Sequence, residues 1–157
     1  MRVQDVVKTK GNEVITVVET ITVEQAARVM RERAIGALVV VAPGGELKGV
    51  ISEREIVTAL AHHGKAALQL SAKAVMLAEC PAVTPMDSVH DAMAIMTEQR
   101  VRHLPVVLNA SVVGLISIGD TVKARLSEKI AENLVLQDIA RWTSASGDIS
   151  GRFSRGV

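Results

Sequence analysis

The sequence predicts a mixed α/β (α+β) fold: two β-α-β-β-α repeats packed sheet to sheet with pseudo-twofold symmetry, followed by a long C-terminal helix. Three observations predict it. The pattern of TITVEQAARVMRERAIGALVVV returns in DSVHDAMAIMTEQRVRHLPVVL at an offset of 66, pairing Val23 with Val89, Ala26 with Ala92, Met30 with Met96, Leu38 with Leu104 and Val40 with Val106. GVISEREIV and GLISIGDTV then pair at an offset of 65, Gly49 with Gly114, Ser52 with Ser117 and Glu55 with Asp120, so one residue is lost in a turn, where a duplicated fold tolerates it. Finally, 48% of the 157 residues are hydrophobic but only 1% are aromatic, namely Trp142 and Phe153 near the C-terminus, so the core is aliphatic.

Short strands at 14–18 and 82–84 open the two repeats. Val23, Ala26, Ala27, Met30 and Ala34 share one helical face, as do Val89, Ala92, Met93 and Met96. Thr22 with Gln25 forms a capping box at the first of these helices, and Ser88 with Asp91 a looser version at the second. Each helix leads into an apolar strand (37–41 and 103–108), a turn (Pro43-Gly44-Gly45 and Asn109-Ala110), a second strand ending in Gly-Val-Ile or Gly-Leu-Ile, and a second helix. A repeat this small cannot cover both faces of its own sheet, so the copies pack on one another and leave clefts between them. The expected limits are 1–68 and 69–125 for the repeats and 126–142 for the C-terminal helix, whose stripe is Val122, Leu126, Ile130 and Leu134. The Gly/Ser-rich segment 143–157 is expected to be disordered.

Composition narrows the function. Eighteen basic and seventeen acidic residues give a net charge of +1 without single-sign runs, so neither a nucleic-acid nor a membrane partner is expected. The single Cys80 excludes an internal disulfide and a Cys-rich metal site, and it reads as an inert filler of a protein in a reducing, cytoplasmic setting. The longest apolar run, 37–43, is too short to cross a membrane, and MRVQDVVKTKG is not a signal peptide. His62 and His63 read as C-terminal helix caps and His90 as a surface residue, so no metal ligands are expected.

The polar residues of VRHLPVVLNASVVGLISIGD carry the site. In a hairpin the start of the first strand lies beside the end of the second, which brings Arg102 and His103 to the Ser117-Ile118-Gly119-Asp120 turn. A helix starts there, so its free N–H groups and Arg102 suit a phosphate, while Gly119 leaves room for close approach. The Asp120 carboxylate suits the two vicinal hydroxyls of a ribose, unless it only caps the helix together with Ser117. Pro105 withholds a ladder donor and marks an irregular or edge strand. In the first copy Gly36 and Ala37 replace Arg102 and His103, and Ser52-Glu53-Arg54-Glu55 replaces the Ser-Ile-Gly-Asp turn. Glu55 is one methylene longer than Asp120, so the two clefts are unequal, and Arg54 offsets the missing cation.

Together Lys10-Gly11, Ile35–Val41, the SERE turn, VRHLPVV and GLISIGDTVK resemble the small stand-alone proteins with a tandem pair of cystathionine-β-synthase (CBS) domains, over residues 3 to about 141. The resemblance implies a disc-like pair, often a homodimer, that binds adenine nucleotides such as AMP, ATP or NAD(H) in its clefts. It implies that Asp120 holds ribose hydroxyls, that Ser117, Arg102 and His103 approach phosphate, and that Val83 and Thr84 grip adenine. Lys10 and Ile15 occupy the corresponding first-copy surroundings.

The expected function is a non-catalytic nucleotide sensor acting on an unidentified partner protein, with no catalytic cofactor. One alternative is a structural oligomerisation module with empty clefts. Another is a small hydrolase using Ser117 and His103, against which GLISIGD is not a G-x-S-x-G elbow and Ser117 and Asp120 share one turn.

Overall fold

A computed structural model describes residues 1–11 and 13–147. In order, its elements are α1 (Val3–Lys10), β1 (Thr16–Val18), α2 (Val23–Arg33), β2 (Ala37–Val41), β3 (Leu47–Ser52), α3 (Glu53–His63), a 3-10 turn (Gly64–Gln69), α4 (Ala72–Val75), α5 (Val89–Glu98), β4 (His103–Leu108), β5 (Ser111–Ser117) and α6 (Ile118–Gly147). Among the described residues, those up to Thr121 form one compact unit, and a second begins at Val122.

Repeat 1 has a three-stranded sheet, β1-β2-β3, parallel then antiparallel. Repeat 2 keeps only the β4-β5 hairpin as a sheet; the strand expected at 82–84 shrinks to a parallel bridge between Val83 and Val106. Both hairpins have a register irregularity at equivalent places, Val40/Val41 and Val106/Val107. Pro105 sits inside β4 opposite Leu115, and its carbonyl accepts from the Val83 N–H at 3.0 Å.

The duplicated apolar pattern becomes a duplicated core. Ala26, Met30, Leu38, Val40 and Ile51 are buried in repeat 1, and their counterparts Ala92, Met96, Leu104, Val106 and Ile116 in repeat 2. The helix starts are capped as expected: Gln25 N–H donates to Thr22 Oγ1 with the reciprocal bond present, and Asp91 N–H donates to Ser88 Oγ at 3.0 Å. The second hairpin turns tightly because Asn109 and Ala110 both take positive φ, 50° and 63°.

The segments preceding the two repeats are exchanged. Helix α1 opens the chain but packs on repeat 2: Val3 and Gln4 N–H groups donate to the carbonyls of Asp87 and Pro85, and Val7 reaches Gly114 of β5. The segment 70–77 does the same for repeat 1. Val23 N–H donates to Leu70 O, Ala72 N–H to Ile21 O, and Leu77 exchanges bonds with Val50 of β3. Gly49 and Gly114 make both contacts possible. A Cβ on Gly49 would stand 2.6 Å from Leu77 O, and one on Gly114 2.9 Å from Val7 Cγ2.

Helix α6 runs five residues beyond the expected end at 142, so 143–147 are helical rather than disordered. Ser, Thr and Ala tolerate a helix. The remainder of the segment expected to be disordered, 148–157, lies outside the described residues. No helix among the described residues is long and apolar enough to cross a membrane.

Candidate functional site

The end of repeat 2 is built as its hairpin dictates. His103 and Ser117 are register partners, and the Ile118 N–H donates to the Arg102 carbonyl at 2.9 Å. Ser117 and Asp120 close a capping box on the start of α6. The Ser117 N–H donates to Asp120 Oδ2 at 2.8 Å, and the Asp120 N–H donates to Ser117 Oγ at 3.2 Å. Lys10, at the end of α1, donates from Nζ to the same Oδ2 at 2.8 Å and to the Leu115 carbonyl at 3.2 Å. Burial pushes the Asp120 carboxyl up, but the Lys10 ammonium and the Ser117 backbone and side chain outweigh it and hold it below its ordinary value.

The start of α3 repeats this arrangement with a longer acid. The Ser52 N–H donates to Glu55 Oε2 at 2.9 Å, and the Ser52 hydroxyl donates to the same oxygen. Arg54 reaches across to repeat 2, donating from Nη1 to the Arg100 carbonyl at 2.9 Å.

Two clefts open between the repeats. The smaller, about 260 Å³, is lined by Lys10, Val14, Ile15, Ile35, Gly36, Ala37, His103, Leu115 and Ser117, among others. Asp120 is not among its lining residues but pairs with Lys10, which is. The larger, about 620 Å³, is lined by Ser52 to Glu55 of repeat 1 and Gln99 to His103 of repeat 2. Each cleft thus joins the strand-to-helix turn of one repeat to the helix-to-strand turn of the other: Ala34–Ala37 facing Ser117, and Arg100–His103 facing Ser52–Glu55.

Gly36 and His103 belong to both clefts. A Cβ on Gly36 would stand 3.8 Å from His103 Nε2 and 3.6 Å from Glu53 Oε2, so the imidazole is the partition between them. Burial lowers its pKa and Lys10 adds to this, while Glu55, Asp120 and Glu53 oppose.

The expected residues divide between the clefts in an unforeseen way. His103, Ser117 and Asp120 gather as expected, but Arg102 lines the larger cleft with Ser52, Arg54 and Glu55. Lys10 and Ile15, expected in the first-copy surroundings that correspond to Val83 and Thr84, line the smaller cleft, and Lys10 pairs there with Asp120 of repeat 2 because α1 is exchanged onto that repeat. Val83 and Thr84 line neither cleft. Val83 is buried against β4, and the Thr84 N–H donates to Asp87 Oδ2. Gly119 and Ile118 are exposed in the first turn of α6, and Pro105 is buried away from both clefts. Sequence reasoning missed Gly36 as a cleft residue and Glu53 beside it; the glycine in the place of Arg102 was the available signal.

The other polar residues sit as expected where the structure reports them. His62 caps its own helix through the Thr58 carbonyl, and His90 is exposed. Cys80 is half-buried, and burial pushes its thiol up, away from the reactive thiolate. Asp120 is bound to Lys10 and Ser117, so it does not orient His103 as the carboxylate of a hydrolytic triad would.

Duplicated repeats with exchanged lead segments and paired inter-repeat clefts define a tandem-repeat module. The chain belongs to the CBS-domain family, whose model matches it at residues 3–62 and 72–127. Such pairs are regulatory modules and generally have no catalytic activity of their own. The chain is 34% identical to the CBS domain-containing protein CBSX3, mitochondrial, of Arabidopsis thaliana, with 80% of this chain covered, and it spans 65% of that protein's length. It is 38% identical to the crystal structure of the CBS-domain containing protein ATU1752 from Agrobacterium tumefaciens, at a TM-score of 0.77, covering 80% of this chain and 99% of that one. The CBS pair of protein MJ0100, solved in complex with 5'-methylthioadenosine and S-adenosyl-L-methionine, shares the fold at a TM-score of 0.73 and 22% identity, covering 82% of this chain and 98% of that one.

Proposed function

We propose that this protein is a non-catalytic sensor of adenine nucleotides, AMP, ATP or NAD(H), bound in the inter-repeat clefts. The observation that carries this reading is the smaller cleft, lined by Lys10, His103 and Ser117 together with Val14, Ile15, Ile35 and Ala37, with Asp120 ion-paired to its Lys10. Adenine lies between aliphatic side chains there and is read by backbone groups, since the lining holds no Phe, Tyr or Trp. The Asp120 carboxylate accepts from the ribose hydroxyls, and Lys10, Ser117 and His103 receive the phosphate. Arg54 and Arg102 give the larger cleft its own cations. The adenosine ligands of MJ0100, a pair with this fold, support the choice of ligand class.

Occupancy acts on a partner protein by favouring one packing of the repeats over another, which requires different affinity for the two states. A cytoplasmic homodimer is the form we propose for the sensor; the single thiol of Cys80 agrees with a reducing setting.

A second reading, a structural module with empty clefts, is favoured by one observation: Asp120 and Glu55 already serve capping boxes. Native mass spectrometry of the purified protein separates the two. The sensor reading expects a co-purified adenine nucleotide or its uptake from added AMP; a bare protein that takes up none supports the structural module.

A further inference from the structure

Helix α6 exposes more apolar surface than a solvent-facing helix carries. Every side chain from Lys129 to Ala145 is exposed, and Leu126, Ile130, Leu134, Val135, Leu136 and Ile139 are each between 53% and 63% accessible. A surface helix normally turns such residues inward and polar ones outward. A helix of this length also gains most of its stability from packing its apolar side chains rather than from intrinsic propensity. Ala131 lies between Leu134 and Val135, with Ile130 and Ile139 at the two edges of this band and Asp138 within it, while Leu126 and Leu136 fall on the opposite side.

The charges on the helix indicate what covers that band. Lys123, Arg125, Lys129 and Arg141 alternate with Glu128, Glu132 and Asp138. Several pair along the helix: Arg125 with Glu128 at 2.7 Å, Lys129 with Glu132 at 2.6 Å and Arg141 with Asp138 at 3.9 Å. With four basic and three acidic residues interspersed, the surface lacks the strong single sign that selects an anionic lipid, a nucleic acid or a strongly charged peptide. It meets itself without like-charge repulsion. A Leu, Ile or Val this exposed offers on the order of 100 Å², so about half of the six covered in a helix pair gives roughly 300 Å² of apolar area from each copy. With a polar rim the total approaches about 1,000 Å², the lower limit of a specific interface.

We infer that the band centred on Leu134 and Val135 pairs with the same band of a second copy of this chain. The inference is independent of nucleotide binding and names a surface for the proposed homodimer. An interface at the lower size limit assembles in a concentration-dependent way.

The test measures the subunit number of the full chain by light scattering and native mass spectrometry over a range of concentrations. The Leu134→Glu/Val135→Glu variant is expected to hold half as many subunits as the wild type, with unchanged circular dichroism because both residues are exposed. Mixing it with Leu134→Lys/Val135→Lys is expected to restore the wild-type number as a mixed assembly, which only self-pairing of this band produces. A wild type that is monomeric at every concentration overturns the inference. So does a Glu variant with the wild-type subunit number, a mixture that fails to reassemble, or a monomer that instead binds vesicles of neutral phospholipid.

Discussion

Lys10 Nζ lies 2.8 Å from Asp120 Oδ2, tying the end of the first helix to the start of the last across 110 residues of sequence. The Lys10 side chain is 43% exposed, so the pair adds no more than about 1 kcal/mol to stability. We therefore expect Lys10→Ala to leave thermal stability nearly unchanged while weakening AMP binding about three- to tenfold, through loss of a cation beside the phosphate. Parallel melting and calorimetric titration check this; a large loss of stability with intact binding would make Lys10 a structural residue.

The acid limb of stability tests the same pair. The Asp120 pKa is held below its ordinary 3.8, so the unfolded chain binds the proton more readily than the native one. The contribution of Asp120 is fully present above 3.8 and is lost as pH falls through the lower native value. Wild type is expected to be more stable than Asp120→Asn at neutral pH, and the two curves to converge in acid. Denaturant melts at several pH values measure it, and a constant difference down to the lowest pH contradicts it.

His103 shifts stability in the same direction, at higher pH. Burial and Lys10 lower its pKa from 6.5, so its neutral form is favoured in the native protein and stability declines as pH falls through 6.5. An anionic phosphate beside the ring raises the pKa, and binding then takes up a proton. We expect AMP affinity to rise as pH falls from about 8 to about 6, and His103→Gln to flatten the profile. Titration in buffers of different ionisation enthalpy reads the proton directly; equal heats in both would remove His103 from the phosphate.

The two close-approach glycines are expected to differ. Gly49→Ala drives a Cβ to 2.6 Å from a carbonyl oxygen, whereas Gly114→Ala meets the end of the Val7 side chain at 2.9 Å, which can yield. Thermal or urea melts are expected to show a loss of about 1–3 kcal/mol for Gly49→Ala and a smaller one for Gly114→Ala. The reverse order would contradict the exchange of segments described above.

Much of this fold was legible because it is written twice. The offsets of 66 and 65 locate equivalent core residues such as Met30 and Met96, and strand pairing alone brings His103 to Ser117. What the repeat could not reveal is which copy its lead segment packs on, since self-similarity compares patterns and not contacts. Lys10 therefore pairs with Asp120 of repeat 2, and Arg102 lines the larger cleft rather than joining Ser117 and Asp120. The glycines at equivalent places in β3 and β5 were the local sign that another segment crosses there. The missing strand at 82–84 has a similar cause: Pro81 and Pro85 flank it and leave room for one bridge.

Calorimetric titration of AMP, ATP and NADH into wild type and Asp120→Asn tests the proposed function most directly. The Asn variant removes the charge while keeping a side-chain oxygen for the cap. The proposal predicts that at least one of these nucleotides binds the wild type below millimolar and the variant about tenfold or more weakly, the loss of one charged hydrogen bond. No binding by the wild type, or equal affinity for both proteins, would contradict it.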